Sequence, residues 1–346
     1  MQNGDQRMKE PTGTASMFVA LGVAGALGAQ PPPAVPQPPC SPGPNVVCGQ
    51  RGPEDLVALG ADWVAASALA APGGLIVVRT RDRTPFTVYP AEGARERHDR
   101  QTYPDCPGPP DAQNFTTHGL YAEPDGGPVH KLFVVAHGAR ESIEIFEIDT
   151  RPETPVAIWL GCAVAPDPIG LNSVRGLPDG GFIATNFLPR NSTPAATQRM
   201  REGERNGELW EWHPATGWQK VPGSEAAGAN GLELSTDGRT LYVAAWGTQS
   251  FFRLSRGGTP PTRDEVPLGF MVDNVHWARD GSLYAVGQAQ RSWKAVKIDP
   301  NTLAVRDVLV EPDTADFNAG TALVEVGDTL WVGSFRGNRI AIYPAP

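Results

Sequence analysis

Apolar and polar residues alternate along most of this chain in short runs, each closed by Gly, Asp or Pro. Period-two runs of that kind are the pattern of half-buried strands, and helical periodicity is nearly absent. The strands fall into six units that start near Glu54, at His118, at Asn172, at Asn230, at Asn274 and at Gly320. Three starts read alike: Asn172-SVRGLPDGGFIATN, Asn230-GLELSTDGRTLYVAAW and Asn274-VHWARDGSLYAV. Segments built alike are repeats, and six units of about 45–50 residues predict an all-β fold, a six-bladed β-propeller over residues 51–346. A seven-bladed ring with one weak unit, or a pair of β-sandwiches, are the alternatives.

The flanking and inserted segments add context. Residues 1–29 read as an export signal, with Arg7 and Lys9 ahead of an apolar run ending in GALGA. That run is too short to span a bilayer. Residues 30–50 (PPPAVPQPPC and onward) read as a Pro-rich disordered leader. A secreted or periplasmic location follows, the alternative being a disordered cytosolic tail. Four cysteines, Cys40, Cys48, Cys106 and Cys162, suit disulfides in an exported chain. Cys40–Cys48 would close a local loop and Cys106–Cys162 would clamp neighbouring segments, with other pairings open. The longest interruption, residues 189–208, would be either a lid over one mouth of the ring or a variable surface loop. Asn114-Phe-Thr and Asn191-Ser-Thr fit the glycosylation pattern.

Charge narrows the function. A net charge of −9, with Arg-rich stretches interleaved with acids, argues against a nucleic-acid partner. There is no GxSxG elbow, no HExxH, no Walker loop and no GxGxxG after a strand.

In a propeller the first residues of each innermost strand rim one mouth of the central channel. Glu54, Asn172, Asn230, Asp273 and Asn274 fall at such starts, and together form an all-oxygen set of carboxylates and amides. Such a set suits Ca²⁺ better than Zn²⁺, and predicts a central calcium-binding tunnel. For any one of these residues, capping a strand end is the commoner use; their repetition in phase favours the ion. His118 and His137, at the ends of adjacent strands, would stand side by side as a proton-handling pair. His130 and His276 are read as structural.

The run GPEDL at 52–56, HG at 118–119, LFVVAH at 132–137, LNSV at 171–174, ANGLELSTDG at 229–238 and VDNV at 272–275 resembles the paraoxonase/arylesterase family. More distantly, it is similar to the senescence-marker/gluconolactonase group. The resemblance implies a six-bladed propeller with calcium in its tunnel that hydrolyses lactones, aryl esters or organophosphate triesters. It implies that Glu54, Asn172, Asn230, Asp273 and Asn274 hold the catalytic ion, and that His118 and His137 match the family's histidine dyad. Asp55 would match a ligand of a second, structural calcium, although Ser173 stands where the family carries another aspartate. After LYAVG (283–287) the family has a pocket histidine, and this chain reads GQAQ.

The leading expectation is therefore a calcium-dependent hydrolase of a small lactone or ester, with Asp273 as base or nucleophile as a variant. A non-catalytic propeller with structural calcium and a ligand-binding mouth is the second, and a metal-free, strictosidine-synthase-like condensing propeller the third.

Overall fold

A computed structural model describes Met1, residues 38–124 and residues 127–345. The export signal expected over residues 1–29 thus lies, apart from Met1, outside the described residues, as do residues 30–37.

The strands assemble into six sheets, the six blades, all antiparallel except where the short strand Arg95–Glu96 pairs parallel with Val156–Val164 at the outer edge of blade two. Their innermost strands are Leu56–Leu59, Phe115–Ala122, Leu171–Gly176, Ala229–Leu234, Met271–Trp277 and Gly320–Val326. Each packs against the innermost strands of the two neighbouring blades, so the ring closes around an axis. Radial repetition of this kind leaves only short, protected sheet edges.

Closure comes from the N-terminal segment. Val46–Cys48 pairs antiparallel with Arg339–Pro344, with Val46 opposite Ala341, and completes blade six as its outermost strand. The stretch expected as a disordered leader therefore ends before Val46. Pro-rich composition does not reach these residues, which read VVC and can donate to a ladder. Cys40–Cys48 staples this strand to the segment before it, and Cys106–Cys162 ties the long loop 90–114 to blade two.

The apolar core lies between blades. Blades three and four meet through Leu177, Ile183, Leu209, Leu232, Val243 and Phe252, all buried. Blades five and six meet around Trp293, Leu323, Leu330 and Val332. Each fully buried side chain of this size contributes about 1.5–3 kcal/mol.

The innermost strands of blades two to six share a local irregularity at one height. Their pairing with the second strand shifts between Thr117 and Leu120, Leu171 and Val174, Ala229 and Leu232, Val272 and Val275, and Gly320 and Leu323. A bulge opposes two residues to one, bends the strand and re-aims side chains. The pairs so re-aimed are His118-Gly119, Asn172-Ser173, Asn230-Gly231, Asp273-Asn274 and Thr321-Ala322, with Glu54-Asp55 entering blade one. The repeated phase seen in the sequence is this repeated bulge.

Candidate active site at the tunnel mouth

Five of the residues expected to bind an ion lie buried at that level: Glu54, Asn172, Asn230, Asp273 and Asn274 are all at most 6% exposed. Three of them carry an oxygen that is buried and has no hydrogen-bond partner: Glu54 Oε2, Asn172 Oδ1 and Asn230 Oδ1. Leaving a buried acceptor unpaired costs on the order of 1–3 kcal/mol each, which a bound donor or cation would relieve. His118 Nε2 stands 3.4 Å from Glu54 Oε2 and 3.4 Å from Asn172 Nδ2, which joins Glu54, Asn172 and His118 at one site. Asn274 turns its amide nitrogen to Glu54, donating to Oε1 at 2.7 Å and to the backbone oxygen at 3.3 Å. Thr321, from blade six, donates to the same backbone oxygen at 2.6 Å.

Burial pushes the Glu54 carboxyl up, and its neighbour Asp55 adds to the shift. Asp273 is likewise raised by burial and by Glu54. Two buried carboxyls side by side resist ionising together, and a cation between them would offset that resistance. Among the described residues no group of three His, Cys, Asp or Glu side chains is arranged to hold a metal. The donor set here is instead two carboxylates with amide oxygens, hard ligands that fit Ca²⁺ or Mg²⁺ rather than a transition metal.

The histidines expected to pair do so. His118 Nδ1 lies 2.9 Å from His137 Nε2, and His137 Nδ1 lies 2.9 and 3.0 Å from the two oxygens of Glu141. Glu141 also accepts the backbone N–H of Leu171 at 2.7 Å, beside Asn172. Burial, then the neighbouring His137, pushes His118 down to about 3, so its imidazole is neutral. Burial opposes a charge on His137, yet Glu141 outweighs it and the net shift is upward. His137 also opens onto a cavity of about 210 Å³ lined by Pro110, Asp111, Asn114 and Arg140.

Glu141 and Gln288 went unnoticed in the sequence. Gln288, where the resemblance predicted a changed pocket, donates to Asp273 Oδ2 at 2.6 Å and accepts from the Trp246 indole N–H at 3.0 Å. Trp246 meets Phe187 edge-on at 5.8 Å, and the Arg201 guanidinium lies 4.9 Å from its ring centre. Arg201 ends the one α-helix among the described residues, Pro194–Arg201, inside the insertion read as lid or loop. Met200 of that helix is buried, with its backbone oxygen against Gly247. The insertion therefore packs on the mouth that carries the ring of oxygens.

Deeper along the innermost strands the expectation of a second ion does not fit. The Asp55 carboxylate accepts from Leu56 N at 2.8 Å, Leu120 N at 2.7 Å and His276 Nε2 at 2.6 Å. Burial opposes charge on His276, but Asp55 and Glu233 carry its pKa up to about 10. Glu233 in turn binds Arg175 Nε at 2.7 Å, and Arg175 lies over Tyr121. Ser173, in place of an acid, and two protein cations leave that level without free carboxylate oxygens at Asp55. His276, read as structural, is the centre of this network.

No protein-family model matches the chain, and no curated protein matches it. Solved structures do share its fold. A gluconolactonase from Xanthomonas campestris is 16% identical, with a TM-score of 0.55 over 87% of this chain and 88% of that one. A luciferin-regenerating enzyme is 12% identical, with a TM-score of 0.51 over 84% of each chain. Virginiamycin B lyase from Staphylococcus aureus is 11% identical, with a TM-score of 0.51 over 87% of this chain and 98% of that one. At such identities the likeness is one of fold, and it joins hydrolytic and lyase chemistry on the same scaffold.

Proposed function

We propose that the chain is a calcium-dependent hydrolase of lactones or aryl esters, with organophosphate triesters as a further substrate class. One observation carries this reading: Glu54 and Asn172, each with an unpartnered buried oxygen, meet at His118, whose second nitrogen leads through His137 to a carboxylate. Glu54, Asn172, Asn230 and Asp273 would hold the ion, with Asn274 fixing Glu54. When bound, Ca²⁺ supplies a fixed positive charge that polarises the carbonyl and steadies the developing oxyanion.

The protein's own groups do the rest. His118 Nε2 takes a proton from the attacking water, and His137 supports the ring that receives it. Gln288 holds Asp273 in place, while Trp246 and Phe187 offer an aromatic wall at the mouth. The gluconolactonase among the structural neighbours and the paraoxonase-like motifs both support this choice. Two disulfides support an oxidising compartment, secreted or periplasmic. Among the described residues no helix is long and apolar enough to cross a membrane.

The test is a panel of γ-butyrolactone, δ-valerolactone, phenyl acetate and paraoxon, assayed with and without EDTA and after calcium is restored. Turnover that EDTA removes and calcium returns supports the hydrolase. Retained calcium without turnover favours the second reading, a binding propeller whose ion is structural.

A further inference from the structure

We infer that Glu141 is a positioning residue that fixes the tautomers of both imidazoles, so that the lone pair of His118 Nε2 faces the ring of oxygens. The catalytic consequence rests on the hydrolase reading; the tautomers do not.

Donors and acceptors along the chain of contacts from Glu141 to His118 fix where each proton sits. A carboxylate only accepts, so the proton on neutral His137 must sit on Nδ1, the nitrogen 2.9 and 3.0 Å from Glu141. Its Nε2 then carries a lone pair. His118 Nδ1, 2.9 Å away, must be the donor of that contact. The single proton of neutral His118 is thereby spent, and Nε2 is left as an acceptor. Two groups stand 3.4 Å from Nε2: the Asn172 amide nitrogen can donate to its lone pair, Glu54 Oε2 as a carboxylate cannot, and the contact with Glu141 at the far end of the pair decides between them.

Glu141 is itself held. It is 6% exposed, and Leu171 N–H donates to Oε1 at 2.7 Å. This bond joins the hairpin turn of blade two to the strand that carries Asn172, so the base and one oxygen of the ring share a support. In catalysis the water O–H bond breaks, its proton goes to His118 Nε2, and the hydroxide oxygen bonds the carbonyl carbon as the C=O π pair moves to the carbonyl oxygen; when that pair returns, the ester C–O bond breaks and the leaving alkoxide takes the proton back from His118 Nε2. The His118 Nδ1 proton can move toward His137 Nε2, which places the positive charge beside Glu141.

Glu141→Gln tests this with little change in volume. Leu171 N–H retains the amide oxygen at the Oε1 position, 2.9 Å from His137 Nδ1, and the amide NH₂ takes the Oε2 position, 3.0 Å from it. Either tautomer of His137 then finds a partner, and in the reversed fraction His118 Nε2 carries a proton and has no lone pair to accept one from water. The measurement is ¹⁵N–¹H correlation spectroscopy of histidine-labelled full-length protein, at a pH where His137 is neutral, assigned with His118 and His137 variants. The wild type should show His137 protonated at Nδ1 and His118 protonated at Nδ1, and E141Q should show a mixture of Nδ1 and Nε2 forms at both rings. For a lactone that the wild type hydrolyses, kcat of E141Q should fall by about 10–100-fold with KM nearly constant. Glu141→Asp, still only an acceptor, should keep the wild-type tautomers. Wild-type His137 protonated at Nε2, or an E141Q spectrum with wild-type tautomers, would overturn the inference. Because the spectra need no substrate, they decide it even if no lactone is turned over.

Discussion

Gly231→Ala isolates the geometry that brings the ring together. Gly231 follows Asn230 in the bulge of blade four, and a Cβ placed there would lie 2.4 Å from Asp273 O, 2.6 Å from Val275 N and 2.7 Å from Asn274 Cα. All three atoms are backbone of blade five, so no side chain can swing aside. Ordinary contact needs at least 3.4 Å, so the innermost strands of blades four and five must part by about 1 Å. Overpacking of this kind costs about 1–3 kcal/mol. For a domain of this size that is a fall in Tm of roughly 2–6 °C. The same displacement moves Asp273 and Asn274 away from Asn230, so calcium affinity should fall together with Tm. Gly93→Ala, where a Cβ meets nothing within 4 Å, is the control and should stay within about 0.5 kcal/mol of wild type. Calorimetric Tm and calcium titration of the two variants form the assay. A Gly231→Ala protein with wild-type Tm and wild-type calcium binding would refute the close approach of the strands.

Three further outcomes are expected. Asn230→Leu replaces an unpaired buried amide oxygen with a methyl, so the EDTA-treated variant should be about 1 kcal/mol more stable than EDTA-treated wild type while losing calcium-dependent stabilisation; urea melts with and without calcium check both. Removing Cys106–Cys162, which spans 56 residues, should cost about 1.5 kcal/mol more than removing Cys40–Cys48, which spans 8, as read from urea midpoints of the paired Cys→Ser variants. His276 has a folded pKa of about 10, above its ordinary value near 6.5, so its stabilisation is complete below pH 6.5 and is lost as pH rises through 10. Tm should therefore decline between pH 7 and 10, and His276→Asn should flatten that decline.

The blades were legible because each begins with a polar residue, runs apolar and turns at Gly or Asp. The ring was legible for a related reason: the bulge falls at one phase of every repeat from blade two onward, so oxygen-bearing residues recur there. Strand alternation alone would have turned one of Asp273 and Asn274 away, and the bulge is what brings both to the site. The closing strand Val46–Cys48 was hidden because its partner lies nearly 300 residues away, a separation that no local pattern records. Glu141 was hidden for a similar reason, since its bond to Leu171 N crosses between blades. Helix Pro194–Arg201 has only eight residues and little apolar periodicity, with Met200 its one buried side chain. At Asp55 the motif was present but its surroundings were not, because the charge that faces it comes from His276 in blade five.

The most direct measurement is a crystal structure of the chain soaked with Tb³⁺ in place of Ca²⁺, located by anomalous scattering. One strong peak is expected within about 2.3–2.6 Å of Glu54 Oε2, Asn172 Oδ1 and Asn230 Oδ1, with none beside Asp55. A tunnel mouth without that peak, its three oxygens paired instead with protein donors, would contradict the assignment of the ring as a cation site.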